Sequence, residues 1–396
     1  MSSAAERTQV AIIGAGPAGL MLGHLLHLQG IDSVILEARD KAYVIERVRA
    51  GVLEQSTVDL LHEMGVGDRL VREGMCHEGI HLAFSGARHR IDMARLTGGR
   101  AITVYGQGEV VKDLIAAREA TGRPLLFDVG DVRPIDLESP LPAVRYRVNG
   151  EERELRCDFI AGCDGFHGVC RPSIPAEALT VYERIYPFAW LGILARAAPS
   201  SDELVYSHNA RGFALFSMRS TEVTRLYLQC APDEDLNQWS DDRIWEELLL
   251  RLGTEDGWRP NTGPIVQKGV AQMRSFVVDP MCYGRLYLAG DAAHIVPPTG
   301  AKGLNLAAAD VWRLAGALVD RLRQGSDAGL RTYSERGLRR AWWAQRFSWW
   351  MTSTLHTDEG ASTFDRHRQL AELDYLIHSE AAMTSLAENY VGMPFS

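Results

Sequence analysis

The chain has 396 residues, more than one hydrophobic core usually organises, with 46% hydrophobic residues, 23% charged residues and a net charge of -9. That composition predicts two or three packed modules and excludes extended disorder. The charge is spread without basic blocks, so a nucleic-acid surface is excluded too.

The polar opening MSSAAERTQV lacks the apolar core of a signal peptide, and no uncharged run reaches the ~18 residues that span a bilayer, so a soluble cytoplasmic protein is expected. Gln9 to Ile13 reads as a buried parallel strand, Gly14 to Gly19 as a turn entering a helix that ends near Gly30, and Val34 to Glu37 as a second strand. From Gln107 to Ala120, the apolar residues Val110, Val111, Leu114, Ile115 and Ala117 oppose Lys112, Asp113, Arg118 and Glu119, which predicts an amphipathic helix. Between about 181 and 270 the short runs Trp190 to Leu194, Phe213 to Ser217 and Arg225 to Gln229 predict an antiparallel sheet. A buried strand returns at 286–290, followed by a helix from Leu304 to Leu318. The tail from 341 is helical, and its Trp342, Trp343, Trp349 and Trp350 are expected in the core or a subunit interface. Cys76, Cys157, Cys163, Cys170, Cys230 and Cys282 form no CxxC pair and no zinc-spaced set, so reduced thiols and no metal are expected.

Gly14, Gly16 and Gly19 form GxGxxG between a predicted strand and helix. The first glycine permits the turn, the second lets a phosphate approach the backbone, and the third lets helix and strand pack closely. The helix N-terminus then faces the pyrophosphate with free N–H groups. Glu37, 18 residues beyond Gly19, ends the second strand, where a carboxylate can accept both ribose hydroxyls. A dinucleotide is expected here, and this motif alone leaves FAD and NAD open. The fold expected is mixed α/β. Residues 1–75, 97–180 and 270–340 form a discontinuous Rossmann-like domain, 76–96 and 181–269 an interleaved antiparallel-sheet substrate domain, and 341–396 a C-terminal helical region.

Two later segments, DFIAGCDGFHGVCR with Asp164 and RLYLAGDAAHIVPPTGAKGLN with Gly290 and Asp291, complete a triple set with the glycine loop. The set resembles the flavoprotein aromatic hydroxylases. The resemblance implies a tightly bound FAD, with its pyrophosphate on the glycine loop and its ribityl chain on Asp291. It also places Arg47, Arg49, Gln107, Asp164, Leu304 and Asn305 at the cofactor. With only one glycine fingerprint, the nicotinamide coenzyme must dock transiently, and His167, Arg171 and Arg274 are similar in placement to the family's residues for that docking. NADPH-preferring relatives carry an arginine directly after the acid, where this chain has Ala38. Arg39, Lys41 and Tyr43 follow, leaving NADH or NADPH open.

Within that family the likeness is to the branch that hydroxylates 4-hydroxybenzoate, and it runs nearly end to end, as far as the ENYVG segment containing Tyr390. It implies that Arg219, helped by Ser217 and Tyr227, binds the ring carboxylate, a fork-like donor suiting that anion. At the phenol end it implies Tyr206 on the substrate, Tyr390 on Tyr206, the Pro298 carbonyl nearby and His77 at the solvent end, a proton relay finishing on a group that titrates near neutrality. Arg225 is implied in flavin positioning. The implied reaction transfers oxygen from a flavin C4a-hydroperoxide to the 3-position, giving 3,4-dihydroxybenzoate, with a small aromatic acid and O2 as reactants and a homodimer as the assembly. A related ring acid, such as 3-hydroxybenzoate or 4-aminobenzoate, and a flavin reductase that never oxygenates its ligand remain the competing readings.

Overall fold

Strand Val10–Ile13 is apolar and buried at every position, as a strand covered on both faces must be. In the computed structural model, which describes residues 6–46, 51–358 and 360–395, it lies at the centre of a six-stranded sheet. Its parallel neighbours are Ser33–Leu36 and Phe159–Gly162, and Leu286–Leu288 continues the parallel run beyond the latter. The glycine loop, the Asp164 turn and the Gly290 turn therefore leave the carboxyl ends of three adjacent strands, the edge at which open α/β sheets bind ligands. Helix Pro17–Leu28 packs between helices Gln107–Ala120 and Gly303–Gln324.

The second large sheet has eight strands, in the order His294–Ile295, Ile265–Asp279, Thr180–Ala195, Thr224–Cys230, Ala214–Met218, Val205–Ser207, Gly79–Phe84 and Ala87–Asp92. It is antiparallel as expected except at one joint, where Val205–Ser207 runs parallel to Gly79–Phe84. At its central strands both faces are covered. One carries Leu226, Leu228, Ala214 and Phe216 against Ile244, Leu248 and Leu252 of helix Asp241–Leu252. The other carries Trp190, Phe213 and Leu215 against helices Ala328–Leu355, Thr363–His378 and Glu380–Val391. The period-two alternation of strand side chains thus assigns Trp190, Phe213, Leu215, Ser217, Arg225 and Tyr227 to the face that the C-terminal helices cover.

One expectation is narrowed, to the subunit-interface alternative, and one is corrected. Trp342, Trp343 and Trp349 are 44%, 50% and 44% exposed, outside the core of this chain. Ala341, Ala344, Phe347, Ser348, Met351 and Leu355 make the inward stripe of the helix, which leaves the tryptophans to the opposite side. Trp350 alone is half-buried, its indole N–H donating to Glu372 at 2.9 Å. Arg118, read as part of a polar face, is fully buried. Its guanidinium donates to the carbonyls of Gly23, Ser33 and Pro124 at 3.3, 2.6 and 3.0 Å, tying helix, strand and loop together without a carboxylate. Burial pushes it down to about 10, still a cation at neutral pH. Replacing Arg118 by Ala strands these acceptors in the interior and should lower unfolding free energy by roughly 2–4 kcal/mol in a urea titration.

Candidate active site

The glycine loop meets three different steric demands. Gly14 has φ +105°, and a Cβ there would lie 2.3 Å from the Cys163 carbonyl oxygen. A Cβ on Gly19 would lie 1.9 Å from the carbonyl oxygen of Gly14, so helix Pro17–Leu28 can pack on its own loop only without a side chain. A Cβ on Gly16 would meet nothing within 4 Å. Gly16 is also the helix N-cap and supplies no capping side chain, leaving its N–H groups facing that open space. Glu37 accepts from the backbone N–H of Ala15 at 2.7 Å and of Arg39 at 2.9 Å, which holds the loop beside the second strand.

The other expected cofactor residues divide between loop-bracing and site-facing places. Asp164 turns back to accept from Cys170 N–H at 2.9 Å, and burial raises its carboxyl above the usual range. Asp291 follows Gly290 in the turn after Leu286–Leu288, whose Gly290 N–H donates to Asp310 at 3.0 Å. Gln107 opens helix Gln107–Ala120. Leu304 is half-buried at the start of helix Gly303–Gln324. Asn305 donates to the Val52 and Ala301 carbonyls at 3.0 and 2.8 Å and accepts from Glu54 N–H at 2.8 Å. Arg47 and Arg49 lie outside the described residues.

On the covered face of the eight-stranded sheet, register puts Tyr206 opposite Leu215, Leu215 opposite Tyr227, and Ser217 opposite Arg225. Arg219 lies just past Ser217, close enough to Tyr227 for the two side chains to interact. Burial, with Arg225 adding to it, pulls the Arg219 guanidinium below its ordinary range against the favourable pull of Tyr227. Arg225 stacks on the Tyr227 ring at 5.1 Å, and a Cβ on Gly192 would lie 2.8 Å from its guanidinium. The Tyr206 and Tyr390 hydroxyls are hydrogen-bonded to each other, and burial raises both phenols above their ordinary range. The Pro298 carbonyl accepts from Ala301 N–H at 2.9 Å, using one of its two lone pairs.

His77 departs from expectation. It is 1% exposed rather than at a solvent end. Burial lowers it to about 4, with Glu203 and Asp202 pulling the other way. Among the described residues neither of its ring nitrogens has a hydrogen-bond partner. The nicotinamide candidates fall in two groups. His167 packs edge-on against Phe166 at 4.9 Å, while the guanidiniums of Arg171 and Arg274 sit over the same ring at 4.7 and 4.6 Å. Arg39 and Tyr43 pair at 5.3 Å on the exposed stretch after Glu37.

Several long-range contacts were not anticipated. Lys302, buried, is bound to Glu54 at 2.6 Å and donates to the Asn389 and Tyr390 carbonyls, so it holds the backbone that carries the Tyr390 phenol. Burial pulls its ammonium below the ordinary range against Glu54. A lone lysine in the apolar, glycine-rich run at 295–305 was the available signal. Asp310 receives the Gly290 N–H and lies 2.6 Å from His294. Nothing local marks Asp310 or Glu54.

A family profile described as FAD binding domain matches residues 7–348. The chain belongs to the FAD-dependent aromatic hydroxylases, a family of flavin monooxygenases. It is 51% identical to p-hydroxybenzoate hydroxylase of Acinetobacter baylyi, over 98% of this chain and 96% of that one. A 3-(3-hydroxy-phenyl)propionate/3-hydroxycinnamic acid hydroxylase from a Mycobacterium species is 26% identical, over 84% of this chain and 58% of that one. The fold is shared with p-nitrophenol 4-monooxygenase from Pseudomonas putida, with a TM-score of 0.84 at 20% identity over 98% and 99% of the two chains. The site fits FAD: open space lies over an uncapped helix N-terminus, a carboxylate ends the second strand, and the Gly290 turn flanks them at the same sheet edge.

Gly19→Ala should yield little folded protein, whereas Gly16→Ala should fold with its secondary structure intact and bind FAD roughly tenfold more weakly. Circular dichroism and visible flavin absorbance separate the two. His77 gives a pH dependence. The unfolded chain takes up its proton near the ordinary histidine value of 6.5 and the folded chain only near 4, so folding stability falls as pH drops through that window. His77→Gln should reduce that slope by up to about 1.4 kcal/mol per pH unit, read from urea midpoints across the range.

Proposed function

We propose that the chain is a 4-hydroxybenzoate 3-monooxygenase of the cytoplasm. It converts 4-hydroxybenzoate, NADH or NADPH, a proton and O2 into 3,4-dihydroxybenzoate, oxidised coenzyme and water. The observation that carries the proposal is a single covered sheet face with opposite chemistry at its ends: Arg219 beside Tyr227 and Ser217 at one, the Tyr206–Tyr390 hydroxyl pair at the other. A para-hydroxybenzoate is a flat apolar ring with an anion and a phenol at opposite poles, and it matches that arrangement. The 51% identity to p-hydroxybenzoate hydroxylase supports the same substrate.

In this reading Arg219, Tyr227 and Ser217 bind the carboxylate, and the desolvated guanidinium gains strength from an anion brought into the same dry setting. Tyr206 accepts the phenol proton into its hydrogen bond with Tyr390, leaving the ring a stronger nucleophile at the carbon ortho to oxygen. His77, neutral in the folded protein, is the proton acceptor beyond Tyr390, and Glu203 and Asp202 favour its cation. The second lone pair of the Pro298 carbonyl orients the phenol, and Arg225, stacked on Tyr227, positions the flavin. FAD, when bound, supplies hydride acceptance and O2 activation. Gly14, Gly16, Gly19, Glu37, Arg47, Arg49, Gln107, Asp164, Asp291, Leu304 and Asn305 are its proposed holders. The nicotinamide coenzyme docks transiently at Phe166, flanked by His167, Arg171 and Arg274, with Arg39 and Tyr43 toward its ribose phosphate. The exposed stripe of Trp342, Trp343 and Trp349 is the proposed homodimer surface.

The test is oxidation of NADH and of NADPH by the purified yellow protein with and without 4-hydroxybenzoate, with products resolved by chromatography. Stimulated oxidation yielding 3,4-dihydroxybenzoate is expected, and oxidation that yields only hydrogen peroxide would overturn the proposal. Arg219→Ala should weaken 4-hydroxybenzoate binding on the order of 100-fold while FAD stays bound.

A further inference from the structure

Behind the pocket residues lies a buried aromatic layer built around His356, which the reaction itself leaves unused. His356 follows helix Ala328–Leu355 and is 3% exposed. The Trp190 indole N–H donates to its Nε2 at 2.6 Å. Indole nitrogen only donates, so Nε2 must be unprotonated. The proton then sits on Nδ1, which donates to the Thr352 carbonyl at 3.0 Å. Burial holds the ring to about 3, so this neutral tautomer persists through the physiological range.

The imidazole stacks on Phe188 at 4.7 Å and on Phe213 at 4.3 Å. Trp190 in turn lies 4.7 Å from the Tyr227 ring, and Phe213 lies 6.2 Å from the Tyr206 ring. The Tyr227 side chain in turn interacts with the Arg219 guanidinium. On its helix side the same turn reaches the Pro298 turn, the hydroxyls of Thr352 and Thr299 being 2.8 Å apart. Gln229 reinforces the junction, its Oε1 accepting from the N–H groups of Phe213 and Thr357 at 3.0 Å each.

We infer that His356 is a positioning residue for substrate binding: as an Nδ1–H tautomer it fixes the Trp190 indole, and Trp190 fixes Tyr227 and through it Arg219. A purely apolar filler at 356 would stack equally well and leave the indole N–H buried without an acceptor, freeing Trp190 to turn. Specificity for the carboxylate end of the ligand thereby depends on a hydrogen bond that touches no ligand atom.

The inference rests on the proposed substrate. The FAD-loaded enzyme is titrated with 4-hydroxybenzoate and followed by the change in flavin absorbance, wild type first. A wild-type enzyme that does not bind the compound refutes the substrate reading rather than the role of His356. His356→Phe should then weaken binding about tenfold with FAD retained. His356→Gln, whose amide offers an acceptor to Trp190, should restore affinity to within about twofold of wild type. Trp190→Phe should show the same tenfold loss by itself, and His356→Phe should add nothing to it, the coupling a double-mutant cycle measures. Equal losses from His356→Phe with and without Trp190, no rescue by Gln, or a Trp190→Phe enzyme of wild-type affinity would each overturn the inference. The last arm decides even where His356→Phe fails to fold.

Discussion

Exclusion of water between the covered face of the eight-stranded sheet and the C-terminal helices is the constraint on which the site depends. Five ionisable groups on or around it are moved toward their neutral forms: the Tyr206 and Tyr390 phenols upward, and the Arg219 guanidinium, the Lys302 ammonium and the His77 imidazole downward. Such a setting magnifies each remaining charge, so a bound carboxylate meets in Arg219 a partner worth far more than the same residue at a surface. Neutral phenols in contact can pass a proton along without a full charge standing in the dry interior. Water entry would cancel both effects.

Closure of that face comes from connections between distant parts of the chain. Helix Gly303–Gln324 fixes Gly290 through Asp310 and strand Val52–Glu54 through Asn305. Just before it, Lys302 joins Glu54 to the backbone of Tyr390. The end of helix Ala328–Leu355 reaches the Pro298 turn through Thr352 and the substrate strands through His356. Cofactor loops and substrate pocket thus share the same two helices, and displacement of either would be felt at both.

What was legible in the sequence was local or periodic. The glycine loop and Glu37 are separated by one strand–helix–strand unit, and the helix Gln107–Ala120 declares itself by its apolar spacing. Tyr206, Ser217, Arg219 and Tyr227 are reached only through resemblance, because nothing in the spacing of 206 and 390 brings two tyrosines together. The errors have a common cause. Arg118 looked solvated because its carbonyl partners come from three other segments. His77 looked solvent-facing because burial is a property of packing. For the tryptophans the sequence left core and subunit interface open, because aromatic content names no direction, and the smaller residues between them are the ones that face inward.

Orientation of the ligand is the central claim, and a crystal structure of the FAD-loaded enzyme with 4-hydroxybenzoate tests it most directly. The ring carboxylate should be paired with Arg219 and Tyr227, and the phenol oxygen should lie within hydrogen-bond distance of the Tyr206 hydroxyl. A carboxylate directed at the Tyr206–Tyr390 pair, or a ligand seated away from this sheet face, would contradict the account.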